Sequence, residues 1–447
     1  MGCGMVTGTR SRRGRRLMAS PQLIDRINAR GTARAIVIFH PHMLVPQDRP
    51  VPLADIPMDT PWAGFRGTES RSPLPITRSL LMEISDKFHT GTVSREDPSG
   101  PRQHQAMRYF PHLGIAYGTL NRQGLMELDQ HEAVEHVTHE PEALDLIRPV
   151  ARSAMIRNPT ADMGWGLIKL GIAQLWEQGY RGDNILIAHL DTGVDTSHPA
   201  LTTSVGQQMV FDDSGKAVAV TGLYTDSGEH GTHTAGVIAG RQVPGCPVFG
   251  VAPDARLASG TVIEGGNTVL RVLSGLNWAI SSGARILSLS VGVPGPDSAF
   301  EKVMHRVRAR GMLPIIAIGN SGRGNSYSPG DYENVISVGA TDEQDQVANF
   351  SSSRQPGGKP VVPVVCAPGV NILSAAPGGS YTRSNGTSEA APHIAGLAAL
   401  LMDAAPTATN EQILQAILAS CTNPANVGPD RIGAGIPHGP TALGHLP

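Results

Sequence analysis

From position 185 onward the chain repeats one theme, in which a short apolar run ends in a turn and a segment with helical spacing follows. Ile185-Leu186-Ile187-Ala188-His189-Leu190 is nearly all apolar, too short for a helix, and closes on Asp191-Thr192-Gly193, so it reads as a strand buried on both faces. Ile286-Leu287-Ser288-Leu289-Ser290 and Ile315-Ile316-Ala317-Ile318 read the same way. Between the runs, Val269 to Ser282 and Phe300 to Arg310 place apolar residues on one helical face, whereas Ile394 to Met402 is apolar all round and predicts a buried helix. This alternation predicts an α/β unit, a doubly wound and mostly parallel sheet with helices on both faces. In such sheets the C-terminal strand ends converge on the ligand crevice.

The first third is patterned differently. Ala33 to Phe39 reads as a strand, Ile76 to Phe88 as a helix, Met107 to Gly118 as a strand, Asn121 to Ala133 as an amphipathic helix, and Val134 to Thr138 as a closing strand. These make a small α+β unit over residues 30–150, carrying a Pro-rich insertion at about 41–75. Residues 1–29 read as a disordered basic tail: Arg10, Arg12, Arg13, Arg15 and Arg16 have no acid among them, and Pro21, Gln22, Asp25 and Arg26 interrupt the apolar residues that follow. A linker at 151–163 then leads to the larger unit at 164–440.

Composition narrows the function classes. A chain of 447 residues with a formal charge of −2 and only 4% aromatic residues has no global attraction to nucleic acid and few stacking surfaces for it. No apolar run approaches the ~20 residues that span a bilayer, and Ser11-Arg12-Arg13 is not followed by the apolar core of an export signal. Cys3, Cys246, Cys366 and Cys421 show no metal spacing and demand no oxidising compartment. The expectations are a cytoplasmic protein with no cofactor, no metal, no nucleic-acid partner and no membrane partner.

The chemistry sits in three short segments. In Ser384-Asn385-Gly386-Thr387-Ser388, a serine stands at the start of the buried helix, where its N–H and the helix dipole favour a developing negative charge. A hydroxyl needs a base to become a nucleophile. His230, opening His230-Gly231-Thr232-His233, and Asp191, at the end of a buried strand, supply a base and its orienting carboxylate. The order Asp, His, Ser and these motifs resemble the subtilisin family of serine proteases from about Trp165 to Ile436. An esterase of the α/β-hydrolase type would need a Gly-x-Ser-x-Gly elbow with serine ahead of histidine, and the chain has neither.

The resemblance implies more. Asn320, after the strand Ile315 to Ile318, matches the family's oxyanion donor, with the Ser388 N–H as the second. Gly265, Gly266, Ser290, Val291 and Gly292 match the sheet edges that bind substrate as an added strand, so polypeptides are the expected substrates. The N-terminal unit is similar to the inhibitory pro-domain of such enzymes, an intramolecular partner expected to be cut off within about 150–163; the competing expectation is an unrelated partner-binding module. Two positions depart from the family: Glu389 stands where many relatives have methionine, and Ala200 where calcium-binding relatives have an aspartate. The reading is a serine endopeptidase; the alternative is a catalytically silent peptide-binding relative of the same fold.

Overall fold

The computed structural model describes residues 18–41, 78–89, 107–142, 144–157, 159–160, 162–220, 226–354, 361–424 and 427–447. They fall into two compact units divided after Glu142.

In the first unit, α1 (Pro21–Arg30) starts at Ser20, whose hydroxyl accepts the Leu23 N–H, and ends at Gly31 in a left-handed conformation with φ 79°. Leu23, Ile24 and Ile27 are buried while Asp25 faces solvent. The expected tail therefore does not extend to residue 29; the charges that interrupt the apolar run are the outer face of an amphipathic helix. Then follow β1 (Thr32–Phe39), α2 (Arg78–Ser85), β2 (Met107–Phe110), β3 (Ile115–Asn121), α3 (Arg122–Gln130) and β4 (Val134–His139). The expected single strand at 107–118 is a hairpin, because the chain reverses before Gly114, φ 66°, and pairs Phe110 with Ile115. The sheet runs β2-β3-β1-β4, all antiparallel. Its core joins Leu23 and Ile27 to Val37, Phe39, Leu125 and Val137. The segment at 42–75 and the first 17 residues lie outside the described residues.

The second unit opens with two very short strands, β5 (Asp145–Leu146) and β6 (Ala151–Arg152), so the division between units falls before residue 144 rather than at 150. The helices α4 (Trp165–Lys169) and α5 (Ile172–Glu177) lead to β7 (Leu186–Asp191), β8 (Val205–Phe211), β9 (Ala217–Ala219), α6 (His230–Ala239), β10 (Arg256–Thr261), α7 (Thr268–Ser281), β11 (Ile286–Leu289) and β12 (Val291–Pro294). After them come α8 (Glu301–Ala309), β13 (Leu313–Ala317), β14 (Tyr327–Ser328), β15 (Ile336–Thr341), β16 (Val365–Pro368), β17 (Ile372–Ala376), β18 (Ser380–Asn385) and α9 (Thr387–Ala404). The main sheet has the order β16-β15-β13-β11-β7-β10-β8-β9. Every pair is parallel except the edge pair β8–β9, as the doubly wound pattern predicts. In α9 every residue from Thr387 to Met402 is buried, which explains why it lacks a polar face.

Close backbone contacts hold the functional end of this sheet. A β-carbon on Gly231, in the first turn of α6, would collide with the Gly193 carbonyl oxygen in the turn after β7. Neither partner is a flexible side chain, so Gly231→Ala must push α6 away from β7. The expected cost is about 3 kcal/mol, at the upper end for overpacking, read as a lowered thermal midpoint in a Ser388→Ala background that excludes self-digestion. An unchanged midpoint would contradict this close approach.

Candidate active site

Asp191 is the last residue of β7, and His230 the first of α6, so the carboxylate and the imidazole come from opposite ends of one crossover. His230 Nδ1 donates to Asp191 Oδ1 at 2.7 Å, and the same oxygen accepts the Thr192 N–H at 2.7 Å. Asp191 is 2% exposed and His230 1% exposed. Burial opposes the charged form of both groups. For Asp191 the charge and hydrogen bond of His230, with His189 and the Thr192 N–H, more than offset it and hold the carboxyl below its usual range. For His230, Asp191 as charge and acceptor outweighs burial and holds the imidazolium pKa above the ordinary histidine value.

The entry to α6 is held by residues that the motif reading passed over. Thr192 Oγ1 donates to Asp226 Oδ1 at 2.7 Å and accepts the Gly231 N–H at 2.9 Å. Asp226 in turn accepts the N–H groups of Gly228 and Thr232. A carboxylate capping the first turn is favoured by the helix dipole. The signal was present in sequence as Asp226 four residues before the histidine, but turn residues of this type are common.

Ser388 and Asn320 arrive from elsewhere in the sheet. Ser388 is in the first turn of α9 and is fully buried. Asn320 follows β13 after Gly319, which has φ 114° and sits close against Tyr327. Asn320 Oδ1 accepts both the N–H and the hydroxyl of Thr387, each at 2.9 Å, so its amide nitrogen must point the other way, into the groove.

That groove holds residues 144–153 of the same unit. Strand β5 pairs antiparallel with β12, Leu146 opposite Val291 and Asp145 opposite Gly292, and the Ile147 N–H donates to the Ser290 carbonyl at 2.8 Å. On the far side β6 pairs with β18, and the Val150 N–H donates to the Asn385 carbonyl at 2.8 Å. Between them, Ser388 Oγ donates to the Ile147 carbonyl at 2.7 Å while Asn320 Nδ2 donates to the Arg148 carbonyl at 2.8 Å. The serine and the amide thus hold two consecutive carbonyls, not one. His230 Nε2 finds no hydrogen-bond partner among the described residues, because the serine proton is directed at the strap.

Three of the five expected edge residues line this strap. Ser290, Val291 and Gly292 pair with it, and a β-carbon on Gly292 would stand 3.3 Å from Ile147 Cδ1, so glycine there admits the strand. Gly265 and Gly266 do not pair with it among the described residues; they form a left-handed turn with φ 76° and 64°, in which Gly266 sits against Asp213. The expected linker at 151–163 therefore overlaps the groove segment only at residues 151–153. Nothing in the local sequence of Leu144 to Val150 distinguishes it from the end of a small domain. Ala200 is buried in the apolar core.

Residues 182–435 match the Peptidase_S8 family, described as the subtilase family. Subtilisin E of Bacillus subtilis (strain 168) is 32% identical over 337 residues, covering 74% of this chain and 81% of that protein. A subtilisin of Bacillus pumilus is 36% identical over 264 residues, covering 58% of this chain and 91% of its own length. M-protease of Shouchella clausii (strain KSM-K16) is 35% identical over 286 residues, covering 63% and 71%. The chain belongs to the subtilase family and is a serine-type endopeptidase.

Proposed function

We propose that Ser388, His230 and Asp191 carry out acyl transfer in this endopeptidase, with Asn320 and the Ser388 N–H as oxyanion donors, and that residues 144–153 are an internal inhibitory strap. The observation that carries this reading is the convergence of the Ser388 hydroxyl and the Asn320 amide on adjacent carbonyls of one extended segment, beside the 2.7 Å His230–Asp191 contact. In hydrolysis of a bound peptide, Ser388 Oγ bonds to the scissile carbonyl carbon while His230 Nε2 takes its proton. The carbonyl oxygen becomes an oxyanion held by Asn320 Nδ2. His230 then gives the proton to the leaving nitrogen as the C–N bond breaks, and water removes the acyl group by the same proton route. Asp191 keeps the proton of neutral His230 on Nδ1 and stabilises the imidazolium.

The strap supports inhibition because it engages the Ser388 hydroxyl and the Asn320 amide out of register. Attack requires one carbonyl with its carbon near Ser388 Oγ and its oxygen on Asn320. Here the serine hydroxyl meets a carbonyl oxygen, and the amide holds the next residue's carbonyl. The second of these belongs to Arg148–Pro149, whose ring nitrogen makes a hindered leaving group. Ile147 is buried in the groove and anchors the strap there, and Leu144 is buried as well. Cleavage is therefore expected at Ile147–Arg148 after a one-residue shift, upstream of the 150–163 stretch that the sequence pattern suggested.

The purified wild type should release a catalytic fragment beginning at Arg148, Ser388→Ala should remain full length, and Pro149→Ala should shorten the lag before release. N-terminal sequencing and gels follow all three, and a fully active wild type that stays uncut would count against the strap. A fluorophosphonate should label the processed enzyme; no labelling and no peptide hydrolysis would favour the silent peptide-binding relative.

Asn320→Leu should lower kcat by about 10²–10³ with little change in KM, since that donor acts on the transition state. A large KM effect with kcat intact would contradict its role. On the acid side, kcat/KM should fall as His230 gains a proton. Asp191 raises that pKa, so the midpoint should lie above the ordinary histidine value, and Asp191→Asn should remove the elevation together with most of the activity.

A further inference from the structure

Behind the nucleophile lies a second pair of ionisable groups that acyl transfer does not use. Glu389, next to Ser388 in α9, and His233, one turn after His230 in α6, are both fully buried. His233 Nδ1 and Glu389 Oε1 face each other at 3.8 Å; the Ser384 hydroxyl lies near the carboxyl, but neither His233 Nδ1 nor either Glu389 oxygen makes a hydrogen bond of normal geometry among the described residues. That gap is longer than a hydrogen bond.

The protonation state follows from the other ring nitrogen. His233 Nε2 lies 3.0 Å from the Ile372 carbonyl, which can only accept, so Nε2 carries the proton and Nδ1 of the neutral ring is bare. A carboxylate facing that bare nitrogen would set lone pair against lone pair, whereas a carboxylic acid can donate to it. Burial acts in the same direction on both. It pushes the His233 imidazolium down to about 3, with the Arg152 cation adding to the effect, and it pushes the Glu389 carboxyl up, against the opposing charges of His230 and Arg152 and the Ser384 hydroxyl. From α6 the groups facing Glu389 are His230 and His233; from β6, Arg152, itself 3.2 Å from Glu229; from β18, Ser384.

The pair is close to the oxyanion donor. A β-carbon on Gly386 would stand 2.5 Å from Glu389 Oε2 and 3.1 Å from Asn320 Nδ2, so carboxyl and donor flank the same glycine. We propose that Glu389 works as a neutral carboxylic acid that donates to His233 Nδ1, and that its ionisation at alkaline pH shuts the enzyme down by placing a negative charge beside the forming oxyanion. Glu389 is thus a positioning residue that sets the alkaline limit of the reaction. This rests on the triad assignment above. Two like charges at close range in an effective dielectric near 20 repel strongly enough to cost about 10²-fold in rate.

The test is the pH profile of kcat/KM on a chromogenic peptide anilide, for the processed wild type and for Glu389→Gln, which keeps an N–H donor for His233 but cannot ionise. The wild type should lose about 10²-fold in activity on the alkaline side, and Glu389→Gln should lose that limb while keeping the acid limb that reports His230. Coincident alkaline limbs, or a wild type with none, would overturn the proposal. Should Glu389→Gln fail to fold, infrared difference spectra of the wild type decide: a protonated carboxyl band present at neutral pH must disappear over the pH range of the activity loss. Its absence at neutral pH would also overturn the proposal. If the triad assignment itself were wrong, peptide hydrolysis and fluorophosphonate labelling would be missing while the carboxyl band could still be read, so the two failures are distinguishable.

Discussion

A carboxylate at the bottom of a folded sheet must be paired, and the functional end of this molecule is organised around that requirement. Asp191 is 2% exposed, and an isolated charge there would cost several kcal/mol. Its partners are drawn from three places: the Thr192 N–H from its own turn, the imidazole of His230 from the next helix, and the Thr234 hydroxyl one turn further along, 3.4 Å from Oδ2. The helix can bring those side chains so near only because Gly231 meets Gly193 backbone to backbone. Satisfying the buried charge thereby fixes the imidazole proposed as the base.

The side proposed to hold the oxyanion obeys the same logic with neutral groups. Thr387 takes up both acceptor positions of the Asn320 amide oxygen, and this leaves the amide N–H₂ no direction but the groove. An orientation settled in advance costs nothing when charge develops on the substrate. The helix behind it is equally constrained. Pro392 has no N–H, so the Ser388 carbonyl loses its usual helical partner four residues on, and the first turn of α9 is set by side chains such as Thr387 as much as by the helix ladder.

Tight binding and cleavage are separable in such a site. The strap makes sheet pairing on both sides of the serine and buries Leu144 and Ile147, yet the two groups that must act on a single carbonyl are spread over two. A segment held that firmly gains all the affinity of a substrate strand without the alignment on which reaction depends. The Glu389–His233 pair lies at the same helix start. In the role proposed for it, the pair bears on the reaction through charge alone, since a neutral acid there carries no charge to oppose the oxyanion and a carboxylate does.

Much of this was legible in the sequence because the chemistry is carried by short backbone devices. A buried strand ending in Asp-Thr-Gly, a His-Gly-Thr-His helix start and a Gly-Thr-Ser turn each declare their geometry within a few residues, and the alternation of apolar runs with helical segments gave the parallel sheet and its order of layers. Where the local pattern was ambiguous, tertiary contacts decided. Pro21 to Arg30 reads as a polar tail until Leu23 and Ile27 have a sheet to pack on, and Met107 to Gly118 reads as one strand until Phe110 folds back on Ile115. Gly265-Gly266 and Ser290 to Gly292 carry similar edge signals, but only the latter meets an extended segment among the described residues. The seat of Ile147 under a serine 241 positions away, and the inward turn of Glu389 toward His233, depend on contacts between elements that no window of sequence contains. Local sequence determines which backbone shapes are available; burial and pairing across the chain determine which groups those shapes bring together.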